Sequence, residues 1–389
     1  MPVSTYTIER NCKPFAGAVA GVAGRGKKVL AVVGGTPEVG DRFNIKLGNR
    51  NFGYVGKPTG RIVSFVTLKT KVFAAAGSNI FFSGIGEPTR WEPVADIGAG
   101  FRNMADEYSG TEDLTGLGVY QGNLAVFSRW ATQIWFVDPD PVGDRQIQVL
   151  DNIGCLAPRS IVSVGDVDLF FLSDTGLRSL RARDSSNAAF VSDVGTPIDP
   201  DIITALRGLT DAEKSACCAV IEPEDGRYLL QIGDRIFVFS FFSGAKISAW
   251  SNYSTPARVT DFTILNGRVY ARLADNKLVL YGGASNAAYD GTQVVCETPF
   301  LDARAPATWK LLEGVDMGIQ GEWVVDVCTD PRAPNVYERV AQFDEPTYTL
   351  QRIPMNGNTT HFKLRFRSAG TGYARLSNIA IHYQSHESG

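Results

Sequence analysis

Short apolar runs separated by glycine-containing turns recur along the first three quarters of the chain. Each unit consists of an apolar run, a turn that contains Gly, and a second run rich in aromatic or branched residues, which is typical of a β-hairpin. The clearest copies span residues 117–127, 161–172, 218–230 and 262–272. The pattern therefore predicts a repeated antiparallel hairpin.

The spacing of the hairpins indicates a larger repeat. The turn glycines Gly122, Gly165, Gly226 and Gly267 are 43, 61 and 41 residues apart, and a four-stranded propeller blade takes roughly 40–50 residues. A further apolar run follows most hairpins, as at residues 133–137, 235–239 and 277–281. The sequence therefore predicts a β-propeller over residues 1–285, with five or six blades.

The long interval contains the one convincing helical stretch, at about residues 199–216. Pro200 stands near its start, and Thr210 followed three residues later by Glu213 has the form of a capping box. We predict a helical insertion between two blades.

A protruding hairpin is predicted as an insertion at about residues 38–60, because apolar and polar residues alternate on both sides of Gly48 and Asn49. Between residues 40 and 57 it carries four cations, which oppose only Asp41. A solvated face and a polyanion-facing loop both fit this charge. The candidate interface or channel-facing residues are Arg42, Lys46, Arg50 and Lys57.

The pattern changes after about residue 285, where proline-punctuated segments separate alternating runs such as 362–367 and 376–383. This predicts a separate antiparallel β-sandwich-like domain over residues 286–389. The fold class expected for the whole chain is all-β: a β-propeller with a protruding N-terminal hairpin, one helical insertion and a C-terminal sandwich-like domain.

Composition and charge argue against partners that a basic protein surface would attract. The 389 residues include 40 Gly, 22 Phe and 13 Tyr but only three His, and the net charge is −3. A chain with this balance has no basic field that would attract nucleic acid or an anionic membrane. The start has no signal-peptide pattern and no apolar stretch reaches 18 residues. We expect a soluble protein made in the cytosol.

No candidate chemistry in the sequence predicts an enzyme. Residues 21–28 fit G-x-x-x-x-G-K, but Lys28 replaces the Ser or Thr that would bind magnesium, and a β-branched run follows. The six cysteines have no metal-ligand or disulfide spacing and are expected to be buried thiols. The acidic pairs at 138–140 and 199–201 contain Asp-Pro turns rather than placed catalytic carboxylates. We predict no catalytic residue, no cofactor and no metal.

Several strings resemble the tail-tube nozzle proteins of short-tailed double-stranded DNA bacteriophages. The resemblance covers roughly residues 115–325, and each string is a strand or turn rather than a catalytic signature. The strings are LAVFSR (124–129), IGCLAPRSIV (153–162), FFLSDTGLRSL (170–180), GTPIDP (195–200), YGGAS (281–285) and TPFLD (298–302).

The resemblance implies a structural virion protein, synthesised in the host cytoplasm, that forms a ring of six below the portal and its adaptor. Its partners would be further copies of itself, the tail adaptor, tail fibre or spike proteins, and genomic DNA that passes through the lumen without sequence specificity. A weakly acidic lumen would let DNA slide, since many phosphate contacts would hold it. The alternative is a carbohydrate-binding or glycoside-hydrolysing β-propeller, in which carboxylates or tryptophans would converge at the ring axis.

Overall fold

The computed structural model describes residues 61–91, 98–105, 112–183, 193–224, 226–242, 247–255, 257–283, 293–347, 352–370 and 372–386, and the backbone of four earlier strands. Those four strands form an antiparallel sheet, which we call the N-terminal sheet, in the order β2-β1-β3-β4. They are β1 (Tyr6–Arg10), β2 (Lys13–Pro14), β3 (Arg42–Leu47) and β4 (Arg50–Val55).

Five further antiparallel sheets follow one another along the chain, and in each the consecutive strands pair as a meander. We call them blades 1 to 5. Blade 1 contains β5 (Ile62–Leu68), β6 (Lys71–Ala76), β7 (Asn79–Phe82) and β8 (Gly100–Asn103). Blade 2 contains β9 (Leu114–Tyr120), β10 (Asn123–Ser128), β11 (Ala131–Phe136) and β12 (Arg145–Asp151). Blade 3 contains β13 (Val162–Val164), β14 (Asp168–Ser173) and β15 (Gly176–Ser179). Blade 4 contains β16 (Cys218–Ile221), β17 (Tyr228–Ile232), β18 (Arg235–Phe242) and β19 (Ile247–Ser254). Blade 5 contains β20 (Val259–Leu265), β21 (Arg268–Leu273) and β22 (Leu278–Leu280).

The blades stack because their central strands are apolar on both faces. In β10, Leu124 and Val126 pack in a cluster with blade 1, whereas Ala125 and Phe127 pack in a cluster with blade 3. Similar clusters join blade 3 to blade 4 and blade 4 to blade 5. The first strand of each blade also contacts the first strand of the next. This is the stacking of a β-propeller, and the predicted all-β fold is confirmed.

The helical insertion lies between blades 3 and 4, but it is not one stretch. It contains α1 (Leu180–Arg183), α2 (Asp199–Arg207) and α3 (Asp211–Ser215). The backbone of Thr210 is extended, so it separates α2 from α3 and begins a new helix. Its hydroxyl accepts from the backbone N–H of Glu213, whose carboxylate accepts from the N–H of Thr210. The predicted capping box is confirmed, and its extended N-cap residue divides the helical stretch at about residues 199–216 into two short helices.

The chain divides into two compact units, Met1–Tyr281 and Gly282–Gly389. The second contains two antiparallel sheets, in the orders β23-β28-β25-β26 and β27-β24-β29. A core that includes Met317, Trp323 and Phe366 draws residues from both sheets, as in a sandwich. The strands are β23 (Val295–Glu297), β24 (Trp309–Gln320), β25 (Trp323–Cys328), β26 (Glu338–Phe343), β27 (Ile353–Thr359), β28 (Lys363–Ser368) and β29 (Arg375–His386).

In the described part of the chain, no helix is both long and apolar enough to cross a membrane.

Candidate functional site

The turns of the blades lie at two ends of the array, because successive strands of a meander run in opposite directions. Rim A holds the turns that join first to second and third to fourth strands. Rim B holds the turns that join second to third strands and the connections between blades. Two contacts between blades 1 and 2 match this division: Lys69 donates to the Val137 carbonyl at rim A, and the Leu114 N–H donates to Gly77 at rim B.

At rim B, arginines hold neighbouring blades together. Arg129, in the β10–β11 turn of blade 2, donates two hydrogen bonds of 3.1 and 3.0 Å to the carboxylate of Asp174 in blade 3. Arg159, which precedes blade 3, contacts two later segments. Its guanidinium donates to the carbonyl of Ala216, just before blade 4, and lies 3.3 Å from the carboxylate of Asp261 in blade 5. These carboxylates are therefore engaged in structural ion pairs.

Asp199 of the 199–201 acidic pair is also structural. Its carboxylate lies 2.6 Å from Arg178 Nη1 and accepts from the backbone N–H of Leu177. Gly176 makes this approach possible: its φ is +123°, and a Cβ there would lie 2.0 Å from Asp199 Oδ1. A glycine is required at this position both for the conformation and for the space.

The other acidic pair lies in the β11–β12 turn at rim A, where three carboxylates are grouped. Asp144 accepts from the backbone N–H of Asp138 at 2.8 Å, and Asp140 accepts from Val142 at 3.1 Å. Burial raises the pKa of the Asp144 carboxyl. Burial also lowers the pKa of Lys71, although the three carboxylates oppose that shift.

Beside this turn is a small cavity of about 20 Å³. Its lining is mostly apolar, and the polar groups are Arg102 and Asp144, which lie 3.7 Å apart. A volume of this size holds about one water molecule. The carboxylates thus organise a turn, and the cavity is too small for a sugar or a nucleotide.

Rim A also presents apolar side chains to solvent. Ile85 lies in the β7–β8 connection, Val142 at the tip of the β11–β12 turn, and Val167 in the β13–β14 turn; all three are exposed, and Val142 is 91% exposed. Single exposed apolar residues are ordinary; these three belong to turns of three consecutive blades at the same rim. Exposed acidic residues, Asp140 and Asp166, accompany them.

Three of the four predicted basic residues lie in the N-terminal sheet. Arg42 pairs with Val55, Lys46 with Asn51, and Arg50 with Leu47 across β3 and β4. Lys57 and the Gly48–Asn49 turn lie outside the described residues, as do residues 21–28. The sequence pattern missed β1 and β2, which extend this pair into a four-stranded sheet.

The remaining candidate side chains are spread over the molecule. Trp135 and Trp323 are buried, whereas Trp130 and Trp309 are exposed in different units. His382 Nε2 lies 2.7 Å from Asp316 in the C-terminal unit. Among the described residues, no group of three or more His, Cys, Asp or Glu could hold a metal ion. Of the described cysteines, Cys296 is exposed and the others are buried free thiols: Cys155, Cys217, Cys218 and Cys328.

No protein-family model and no curated protein matches the chain. Solved structures do show similarity to it. A chain of the mitotic checkpoint complex is 12% identical, with a TM-score of 0.39 over 61% of this chain and 70% of that one. BamB from Moraxella catarrhalis is 14% identical, with a TM-score of 0.35 over 62% and 67%. The Cps50 (Swd1) β-propeller domain from Myceliophteria thermophila is 10% identical, with a TM-score of 0.37 over 62% and 77%. At these scores the fold assignment rests on the blades themselves.

Proposed function

We propose that the chain is a structural subunit of the tail nozzle of a short-tailed double-stranded DNA bacteriophage, assembled as a ring of six that encloses the DNA-ejection channel. It acts without catalysis or a cofactor. Its partners are other copies of itself, the tail adaptor, and tail fibre or spike proteins. Genomic DNA passes through the lumen without sequence-specific contacts.

The observation that carries this proposal is that the strings resembling nozzle proteins contact one another in the fold. Arg129 of LAVFSR binds Asp174 of FFLSDTGLRSL. In the same way, the backbone N–H of Leu172 donates to Ser160 of IGCLAPRSIV at 2.9 Å. A third link joins Arg178 to Asp199 of GTPIDP. LAVFSR, IGCLAPRSIV and GTPIDP thus each make a polar contact with FFLSDTGLRSL, so the resemblance concerns segments that lie together around blade 3.

The character of rim A also supports a role in assembly. A closed ring needs two different patches of the same chain to meet, and exposed aliphatic side chains at turn tips suit such a contact. Val142 is the most prominent of these tips. The acidic residues beside it would repel phosphate rather than hold DNA by counterion release.

The carbohydrate-binding alternative has less support. A carbohydrate-binding or glycoside-hydrolysing propeller needs aromatic side chains or paired carboxylates grouped at one binding site. Trp135 is buried, Asp199 is paired with Arg178, and Trp130 and Trp309 belong to different units.

The test is cryo-electron microscopy of virions that contain this chain. We expect a closed sixfold ring around the DNA path, below the portal. Single copies on the periphery of the tail, without a closed ring, would refute the assignment.

A matched pair of variants tests the contact surface. Val142→Asp should reduce incorporation of the chain into virions at least tenfold, because a charge replaces an apolar contact at rim A. Val336→Asp is the control, since Val336 is also exposed but lies in the C-terminal unit. Equal incorporation of the two variants would exclude rim A as the assembly surface.

A further inference from the structure

Blade 1 has an apolar face with no neighbouring blade against it among the described residues. One cross-strand row of this face runs through all four strands: Phe65 pairs with Ala74, Ala74 with Phe81, and Phe81 with Phe101. Phe65 is 60% exposed and Phe101 is 61% exposed. We call this row the Phe65 face.

In the other described blade contacts, faces of this kind are buried. The facing rings of Phe127 in blade 2 and Phe171 in blade 3 are both fully buried, with centroids 4.8 Å apart. The opposite face of blade 1, which includes Phe73, packs on blade 2. Phenylalanine side chains that stay in water do not contribute the stabilisation that burial would give. The Phe65 face therefore indicates a further packing partner.

The N-terminal sheet has the pattern that such a partner needs. Its register aligns Tyr6, Ile45 and Phe52 in one cross-strand row. Ile8, Phe43 and Tyr54 form a second apolar row, two residues further along each strand. The row between them contains Thr7, Asn44 and Gly53. Alternation of apolar and polar rows is the mark of a sheet that buries one face.

The connectivity also favours this sheet. β4 is an edge strand that ends at Val55, and β5 begins at Ile62. Seven Cα steps span at most about 25 Å, and packed sheets lie about 10 Å apart, so the same chain can reach across. In blades 1, 2 and 4, the last strand of the blade is likewise an edge strand that leads to the next sheet.

We propose that the N-terminal sheet of the same chain packs its apolar rows on the Phe65 face and so precedes blade 1 as a further blade. The alternate rows, which include Arg42 and Lys46, then lie on the side away from blade 1. This inference does not depend on the nozzle role.

Photo-crosslinking of the full chain tests the contact directly. Benzoylphenylalanine replaces Phe101, and cross-linked peptides are mapped in a mixture of isotopically heavy and light chains. We expect cross-links to residues 6–55 in light–light and heavy–heavy pairs only. Mixed pairs would show that another copy covers the face, and cross-links elsewhere or none at all would also overturn the proposal. The control places the probe at Leu278 in blade 5, which is 64% exposed, where we expect no enrichment of peptides from residues 6–55.

Hydrogen exchange gives a second readout with a matched pair of variants. Phe43→Asp should raise amide exchange in β5 and β8 at least tenfold, because it places a charge in an apolar row. Asn44→Asp introduces a carboxylate at the adjacent position, in a polar row, and should leave exchange in β5 and β8 unchanged. Equal behaviour of the two variants would contradict the proposed packing.

Discussion

Arg129 and Asp174 are 45 residues apart in sequence and form a two-point ion pair between blades 2 and 3. Both nitrogens that donate belong to one planar guanidinium, so the pair fixes orientation as well as distance. It ties together two turns whose strands also meet through the packed rings of Phe127 and Phe171.

Asp174→Asn should lower the free energy of unfolding by about 1–2 kcal/mol, because it removes a charge-assisted pair that is partly shielded from water. Urea unfolding measures the change. Asp275→Asn is the control, since its partner Lys277 is mostly exposed, and we expect no measurable change there. An unchanged midpoint for Asp174→Asn would mean that the blades do not depend on this pair.

Gly176→Ala should destabilise the protein by about 3 kcal/mol or more, because the new Cβ would displace the Asp199 carboxylate from Arg178 and Leu177. Gly122→Ala is the matched control. Its φ is also positive, at +73°, but nothing lies within 4 Å of the added Cβ. We expect about 1 kcal/mol of backbone strain there. Equal losses in thermal or urea unfolding would contradict the steric explanation.

Lys310 should be essential to the C-terminal unit. Its ammonium group is buried and donates to the carbonyls of Ala305, Thr308 and Thr360 at 2.7, 2.8 and 3.0 Å. Lys310→Met removes the ammonium donor from three carbonyls and should lower the free energy of unfolding by about 3 kcal/mol. Fluorescence of Trp323, buried in the same unit, reports the unfolding.

The control for Lys310→Met is Lys277→Met, which changes an exposed lysine and should leave the fluorescence midpoint unchanged. A wild-type midpoint for Lys310→Met would show that the buried ammonium contributes no net stability.

The free energy of unfolding should fall as the pH rises above about 8.5, where the cysteine thiols of the unfolded chain ionise. Burial raises the pKa of Cys155 to about 12, of Cys217 to about 11, and of Cys218 to about 12. The folded state therefore keeps protons that the unfolded state releases, and the stabilisation present at neutral pH is lost between the unfolded and folded pKa values.

The change is measured by urea unfolding from pH 8 to 11. Cys155→Ala should give a shallower decline than the native chain, by at most about 1.4 kcal/mol per pH unit. Cys296→Ala is the comparison: the thiol is exposed, and burial raises its pKa less than that of Cys155, so this variant should change the slope less than Cys155→Ala does. The same slope in the native chain and in Cys155→Ala would contradict the prediction.

Limited proteolysis should cut the chain first in the segment 282–291. The two compact units meet in sequence at Gly282, and Gly282 and Gly283 have no side chains that could pack the connection against either unit. Mass spectrometry of early fragments checks this. Earlier cuts between Gly122 and Gly165, within the blades, would place the domain boundary elsewhere.

Local features of this fold could be predicted from the sequence because their causes lie within a few residues. The hairpin of β9 and β10 follows from two apolar runs around Gln121 and Gly122, both with positive φ. The capping box follows from Thr210 and Glu213, three residues apart. The propeller itself followed from the regular spacing of such hairpins.

Contacts between distant segments could not be predicted in this way. β1 and β2 are short and carry no turn signal of their own; β1 is defined by its pairing with β3, and β2 by its pairing with β1. Asp199 had the appearance of an ordinary Asp-Pro turn residue until folding placed it beside Arg178.

The sequence by itself determined the strand and turn pattern of this protein, because alternation and glycine turns act over a few residues. Only the tertiary structure decided which charges are neutralised, since Arg129 and Asp174 find each other through the stacking of two blades. It also decided which apolar faces a described blade covers. Phe65 and Phe127 are the same residue type in similar strands, and they differ because a neighbouring blade covers Phe127.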